Sequence, residues 1–159
     1  MKEKENLAES EFKEWLDKHN IPYFYIHQAI DTFSQALRTY MTKRPDFMIL
    51  VPHVGFIIVD VEYKKPAKKY DVFQIDEEET KQYCNLQNYF NLQVWYVFSS
   101  EGDHYNTWHW IPASKVLECG ECYTNPNNQN YRAVPISKFV TVSKNDNLGR
   151  LFSEMSKFY

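Results

Sequence analysis

Only four of the 159 residues are glycine, while twelve Tyr, eleven Phe and four Trp bring the aromatic share to 17%. So little of the most flexible residue beside so many bulky rings excludes a linker or low-complexity segment and implies a packed globular core. No apolar run approaches the ~20 residues that a membrane-crossing helix needs. The opening MKEKENLAESEF is too charged to act as the apolar region of a signal peptide. A soluble, intracellular and cytoplasmic protein without a membrane partner is therefore expected. Cysteine is scarce and odd in number, and Cys84, Cys119 and Cys122 without an export signal weigh against a disulfide framework. Charge of one sign is also missing. A formal net charge of -3 gives no general attraction to nucleic acid or anionic lipid, so any polyanion must meet a local patch.

What is present is patterned. Residues 7 to 19, LAESEFKEWLDKH, set Leu7 or Ala8, Phe12, Trp15, Leu16 and His19 on one helical face, with Asn20 and Pro22 as a stop. PYFYIHQAI reads as a first strand, and DTFSQALRTYMTK reads equally as a short helix or a long turn. DFMILV, GFIIVDVEYK and LQVWYVFSS are further strands, and NTWHWIPASKV adds another. Pro52-His53 with Gly55 supply a turn that makes the first two a hairpin. DEEETKQYCNLQNYFN is a helix with Asp76 as N-cap, Glu79 in the capping-box position, and Tyr83, Leu86, Gln87 and Phe90 on one side. Its acidic start suits the helix dipole. CGECYTNPNNQNYRAVP, dense in Asn, Pro and Cys, reads as a long surface loop. The chain closes on NDNLGRLFSEMSKFY, where Leu148, Leu151, Phe152 and Met155 form a second stripe, suited to a core helix or to a dimer contact. No repeat and no shift in composition divides the chain, so residues 1–159 are expected to form a single mixed α/β domain.

One strand carries charges that a buried strand should not. Side chains alternate along GFIIVDVEYKK, so Asp60, Glu62 and Lys64 share one face, within ~13 Å, and Val59, Val61 and Tyr63 share the other. Charges in an apolar run are costly without a partner, so that face must meet water, a metal or an anion. Asp46, heading the neighbouring strand, can complete the cluster. Carboxylate oxygens are the hard ligands that Mg²⁺ or Mn²⁺ prefers, and a lysine beside them can orient a water or balance a phosphate. The plainer reading is a turn residue at Asp46 and an exposed cross-strand ion pair at Glu62 to Lys64.

Pro45-Asp46, fifteen intervening residues and Glu62-Tyr63-Lys64 resemble the PD-(D/E)xK nuclease superfamily. The resemblance implies an α/β restriction-endonuclease-like core, a central mixed β-sheet flanked by helices in the order αβββαβ. It further implies divalent-metal-dependent hydrolysis of phosphodiester bonds, with DNA the expected nucleic-acid partner and Mg²⁺ or Mn²⁺ the cofactor. Asp46 and Glu62 would be the metal ligands and Lys64 the lysine that assists the nucleophile. Several branches also carry a glutamate on the first helix, a place that Glu9 occupies here. Many exonuclease-like members add a glutamine and a tyrosine four apart on the helix after the lysine, whereas here Gln82 is followed by Leu86. Asp60 also departs from the usual apolar residue, and stands either as a second-metal ligand or as a partner of Lys64 or Lys65. The alternative is a catalytically inactive subunit of the same fold that binds nucleic acid or a protein partner. A chain this short would take its specificity from nucleic-acid shape, from a homodimer or from a larger complex.

The other candidates divide between function and structure. Lys65, Lys68 and Lys69, with Lys64, form a local positive segment that either grips phosphates or is a solvated loop. Cys119 and Cys122 offer a zinc-like pair with only His104 and His109 loosely placed to help, or simply two thiols in a loop. Trp108, His109 and Trp110 suit base stacking or core packing, and Gln87 suits the edge of the site or a satisfied core amide.

Overall fold

The computed structural model describes residues 2–26, 33–154 and 158. Helix α1 spans Lys2–Lys18 and buries Ala8, Phe12, Trp15 and Leu16, the apolar stripe seen in the sequence. Asn20 ends it in the left-handed region at φ 54. There the amide of Ile21 donates to the Leu16 carbonyl at 2.9 Å and that of Asn20 to Asp17 at 3.1 Å, satisfying two carbonyls that the helix end would otherwise orphan.

A six-stranded sheet follows. β1 (Tyr23–Tyr25), β2 (Phe47–Val51) and β3 (Gly55–Tyr63) pair antiparallel in chain order. β5 (Val94–Ser99) then lies parallel to β3, and β6 (Thr107–Pro112) and β9 (Val140–Ser143) extend the sheet antiparallel. The β2–β3 hairpin turns where the sequence placed it, with Gly55 at φ +117, a conformation that L side chains rarely adopt. β1 is shorter than the expected strand, and residues 27–30 of that stretch lie outside the described residues. Of the ambiguous stretch 31–43, Gln35–Thr39 is a short helix, α2, whose first turn is capped by the Ser34 hydroxyl accepting from the Leu37 amide at 3.3 Å.

α3 (Glu77–Phe90) crosses from β3 to β5 and is capped by Asp76, whose Oδ1 accepts from the Glu79 amide at 2.9 Å. Its buried side is Glu77, Thr80, Tyr83 and Leu86, one step round from the expected face, and Phe90 is exposed. Gln87 is a satisfied amide, accepting from the Val94 amide at 3.2 Å.

The supposed surface loop at 119–135 is not a loop. β7 (Glu121–Thr124) and β8 (Asn130–Pro135) form a hairpin that joins β4 (Val72–Asp76) in a second, three-stranded antiparallel sheet. The Asn and Pro density marks only the tip, where Asn125 Oδ1 accepts from the amides of Asn127 and Gln129, each at 2.9 Å, and Asn128 has φ 62. Arg132 fastens this hairpin to the main body, donating to the carbonyls of Leu117 at 3.1 Å and Gly120 at 3.2 Å and pairing with Glu77 at 3.3 Å. α4 (Ala113–Cys119) continues directly from β6. α5 (Leu148–Ser153) buries Leu148 and Leu151 as core residues, and Met155 lies outside the described residues.

The two faces of the main sheet have different chemistry. Phe12 of α1 packs against Phe47, Trp108 and Trp110 at ring-centroid distances of 5.3, 5.2 and 5.7 Å, so Trp108 and Trp110 are core. The register places Val59, Val61, Trp95 and Val97 on this same apolar face. On the opposite face Tyr96 meets Tyr83 of α3, and Phe98 meets Phe73 and Phe139. That second face also receives Asp60 and Glu62. No helix among the described residues is long and apolar enough to cross a membrane.

Candidate active site

Alternation along β3 carries Asp60 and Glu62 toward α3 while the valines beside them point at α1. Asp46 stands just before β2. Its amide donates to the Val59 carbonyl at 3.1 Å and its Oδ2 accepts from the Val61 amide at 2.8 Å, so backbone bonds hold it across from Asp60. It is only 6% exposed, which rules out the plain turn residue on a wet strand end.

Asp60, 4% exposed, accepts at Oδ1 from the Tyr83 hydroxyl at 2.5 Å, and its Oδ2 is buried without a hydrogen-bond partner. Glu62 faces Lys64, with Oε2 and Nζ 3.2 Å apart, and the lysine also lies over the Phe98 ring at 5.4 Å. Lys64 thus turns to Glu62 and not to Asp60.

These carboxylates disturb one another. Burial, then the charges of Asp60 and Glu9, push the Asp46 carboxyl well above the usual carboxylate range, against the hydrogen bond from Val61. Burial and Asp60 likewise push Glu62 up to about 7, with Lys64 and Lys43 pulling the other way. Asp60 is therefore the hub between the two expected ligands. Burial also raises the Tyr83 hydroxyl, as do the charges of Asp60 and Asp46, so it stays protonated and donates.

Glu9 sits to one side. Its Oε2 accepts from the Tyr25 hydroxyl at 2.6 Å, over a surface depression of about 240 Å³ lined by Asn6, Glu9, Ser10, Lys13 and Tyr25. Burial raises its carboxyl, and it reaches the cluster through its charge on Asp46. Lys65, Lys68 and Lys69 are exposed on the segment after β3, with Lys65 over Tyr63 and Lys69 over Tyr70.

Sequence reasoning passed over three members of the neighbourhood. Tyr83 sits on the buried side of α3 and reads as core. Glu79 reads as half of a capping box, yet its carboxylate turns to Lys43 at 3.1 Å. Lys43 itself falls in the stretch that had no firm reading; its only signal is its place three residues before Asp46. The α3 residues four apart that face the cluster are accordingly Glu79 and Tyr83, not Gln82 and Leu86. The Cys119 and Cys122 thiols bond elsewhere, to the Lys115 carbonyl at 2.8 Å and to Glu77 Oε2 at 3.3 Å.

The donor set fits a hard divalent cation. The buried Asp60 Oδ2 lacks a partner, and burial, with the charge of Asp60, raises the carboxyls of Asp46 and Glu62. Among the described residues no group of three or more His, Cys, Asp or Glu side chains is placed to hold a metal ion. Mg²⁺ does not ask for one, since one or two carboxylates commonly hold it while it keeps several waters.

The order of elements is decisive for the architecture: α1, three strands paired antiparallel, α3, and a strand returning parallel to β3. This is the helix, three-strand, helix, strand order that the restriction-endonuclease-like resemblance implies. Among solved structures, the Holliday junction resolvase Hjc of Archaeoglobus fulgidus is similar over 80% of this chain and 80% of its own, at 10% identity and a TM-score of 0.49. D212, a nuclease from a fusselovirus, is similar over 88% of this chain and 80% of its own, at 10% identity and a TM-score of 0.45. No family model and no curated protein matches the sequence. The cluster stands where β3 runs between β2 and β5, and the second sheet draws its strands from before α3 and after α4.

Proposed function

We propose that residues 1–159 act as a single nuclease domain of the PD-(D/E)xK type, hydrolysing phosphodiester bonds of DNA with Mg²⁺ or Mn²⁺. The observation that supports this reading is that Asp60, opposite Asp46 on the adjoining strand, acts electrostatically on both Asp46 and Glu62 and has an unpartnered buried oxygen, with Lys64 3.2 Å from Glu62. Asp46 and Glu62 would hold the cation, with Asp60 Oδ2 as a further oxygen. Such a cation supplies charge to neutralise a phosphate and to acidify a water. Asp46 and Glu62 would hold the cation as carboxylates, so its binding would release the protons that burial favours on them. Lys64, oriented by Glu62, offers its ammonium to the nucleophile or to a phosphate oxygen. Glu9, steadied by Tyr25, adds negative charge behind Asp46, and the exposed Lys65, Lys68 and Lys69 are placed to grip flanking phosphates.

The test is incubation of labelled duplex, single-stranded and branched DNA with Mn²⁺ or with EDTA. Cleavage is expected with Mn²⁺ alone, and a loss of roughly 100-fold or more in Glu62→Ala and Lys64→Ala. Cleavage that survives EDTA refutes the metal assignment. Absence of cleavage, with no Mn²⁺ or Mg²⁺ binding by calorimetry, makes the chain the catalytically inactive subunit instead.

A further inference from the structure

Lys43 does not belong to the aspartate, glutamate and lysine pattern, yet it approaches the same cluster from the other wall. It lies in the segment that leads from α2 into β2, whereas Lys64 stands at the end of β3. Its Nζ is 3.1 Å from Glu79 Oε1 and 5.1 Å from the centre of the Tyr83 ring, the ring whose hydroxyl binds Asp60. The side chain is 30% exposed and Glu79 44% exposed, so the pair sits at the mouth of the cluster and not in its floor. Burial presses the Lys43 ammonium toward neutrality, and Asp60, Glu79 and Glu62 more than reverse this, so the charge is kept.

Glu79 has no part in holding Asp46, Asp60 or Glu62; its carboxylate contact is with Lys43. A half-exposed ion pair contributes little to stability. Its geometric effect is larger, because it holds the ammonium at the rim, within reach of the charges of Asp60 and Glu62 and partly open to solvent. An ammonium held by so weak a contact is readily transferred to an anion that enters the mouth.

We propose that Lys43 is a second phosphate-binding residue of the site, parked on Glu79 and transferred to a phosphodiester oxyanion of the nucleic acid when substrate enters. This deepens the nuclease reading and rests on it. Lys43 and Lys64 then bring two ammonium groups to the carboxylates from different segments of the chain.

The test is the salt dependence of DNA binding, by fluorescence anisotropy in EDTA, of the whole chain and of Lys43→Met, Lys43→Arg and Glu79→Gln. Methionine keeps the stem over Tyr83 and removes the charge. Loss of one phosphate contact should lower the slope of log K against log salt by ~0.9 and weaken duplex binding about eight-fold at 0.1 M salt. Lys43→Arg should keep the wild-type slope, and Glu79→Gln, which releases the ammonium, should bind at least as tightly as wild type. A wild-type slope in Lys43→Met overturns the proposal. So does weaker binding in Glu79→Gln, which also decides the matter if Lys43→Met fails to fold. Failure of the nuclease reading looks different: wild-type protein then shows no Mn²⁺-dependent cleavage whatever the slope.

Discussion

Three carboxylates facing one another without a cation should make the protein less stable as they ionise. Glu62 illustrates the size of the effect. Burial and Asp60 push its carboxyl from an ordinary 4.5 up to about 7. Between those two values the folded chain keeps a proton that the unfolded chain has released, so stability falls as pH rises through the window and levels off above it. At ~1.4 kcal/mol per pH unit the loss is about 3 kcal/mol, an upper figure because the side chain is still 20% exposed. Asp46 acts with the same sign from a lower start. His109 acts against it, since burial lowers its pKa below 6.5 and its contribution therefore grows with pH. Glu77, held down at about 2 chiefly by Lys81, with Cys122 and Arg132, keeps its full contribution above ordinary carboxylate pH and loses it only toward pH 2, outside the window.

Urea unfolding in EDTA from pH 4.5 to 8 measures the balance. With ~2 kcal/mol per molar urea as a typical slope, the midpoint should drop by about 1.5 M over that range from Glu62 alone. The difference between wild type and Glu62→Gln, which cannot ionise, isolates this share from His109. Addition of Mg²⁺ or Mn²⁺ at a hundred times its dissociation constant should restore ~2.7 kcal/mol, and more of it at high pH because binding no longer displaces protons. A midpoint that stays level or climbs with pH in EDTA, with Glu62→Gln indistinguishable from wild type, refutes the idea that these groups crowd one another.

Three further substitutions separate the site from its scaffold. Tyr83→Phe removes the hydroxyl 2.5 Å from Asp60 Oδ1; hydrogen bonds to charged groups contribute ~1.5–3 kcal/mol, so its urea midpoint should fall by about 1 M near pH 7, and an unchanged midpoint argues against that bond. Phe12→Ala, at a fully buried position among Trp15, Phe47 and Trp108, should cost ~3–5 kcal/mol in the same assay, whereas Phe24→Ala at a site 64% exposed should cost under ~0.5 kcal/mol.

Legibility in the sequence followed periodicity. The stripe of Phe12, Trp15 and Leu16, the alternation through Val59 and Val61 and the Asp76 cap are local patterns, and each produced the element it implied. β7 and β8 escaped because their side chains are mostly polar and half-exposed, and because the Asn-rich tip between them dominates the composition. β4 and β9 are only five and four residues long and sit between stronger signals. At the site, Asp46, Glu62 and Lys64 were visible because each breaks an apolar run. Tyr83 broke nothing, since a tyrosine suits a buried helix face, and its hydroxyl acquires meaning only once Asp60 is known to lie 2.5 Å away. Lys43 and Glu79 meet across 36 positions of sequence, a pairing that no local period can reveal.

Asp60 shows why the site and the scaffold pull in different directions. The equivalent place on the other face of β3 is filled by valine, and a valine at 60 would spare the fold a buried carboxylate, an orphaned oxygen and the upward pressure on Asp46 and Glu62. What the aspartate adds is negative charge that acts on both Asp46 and Glu62, so that a cation bound beside it would relieve the pressure on both. Electrostatic cost among these carboxylates and affinity for a cation thus grow from the same crowding. Asp60→Val should accordingly flatten the fall of stability with pH while weakening Mn²⁺ binding, and a variant that did the first without the second would separate the crowding from the metal.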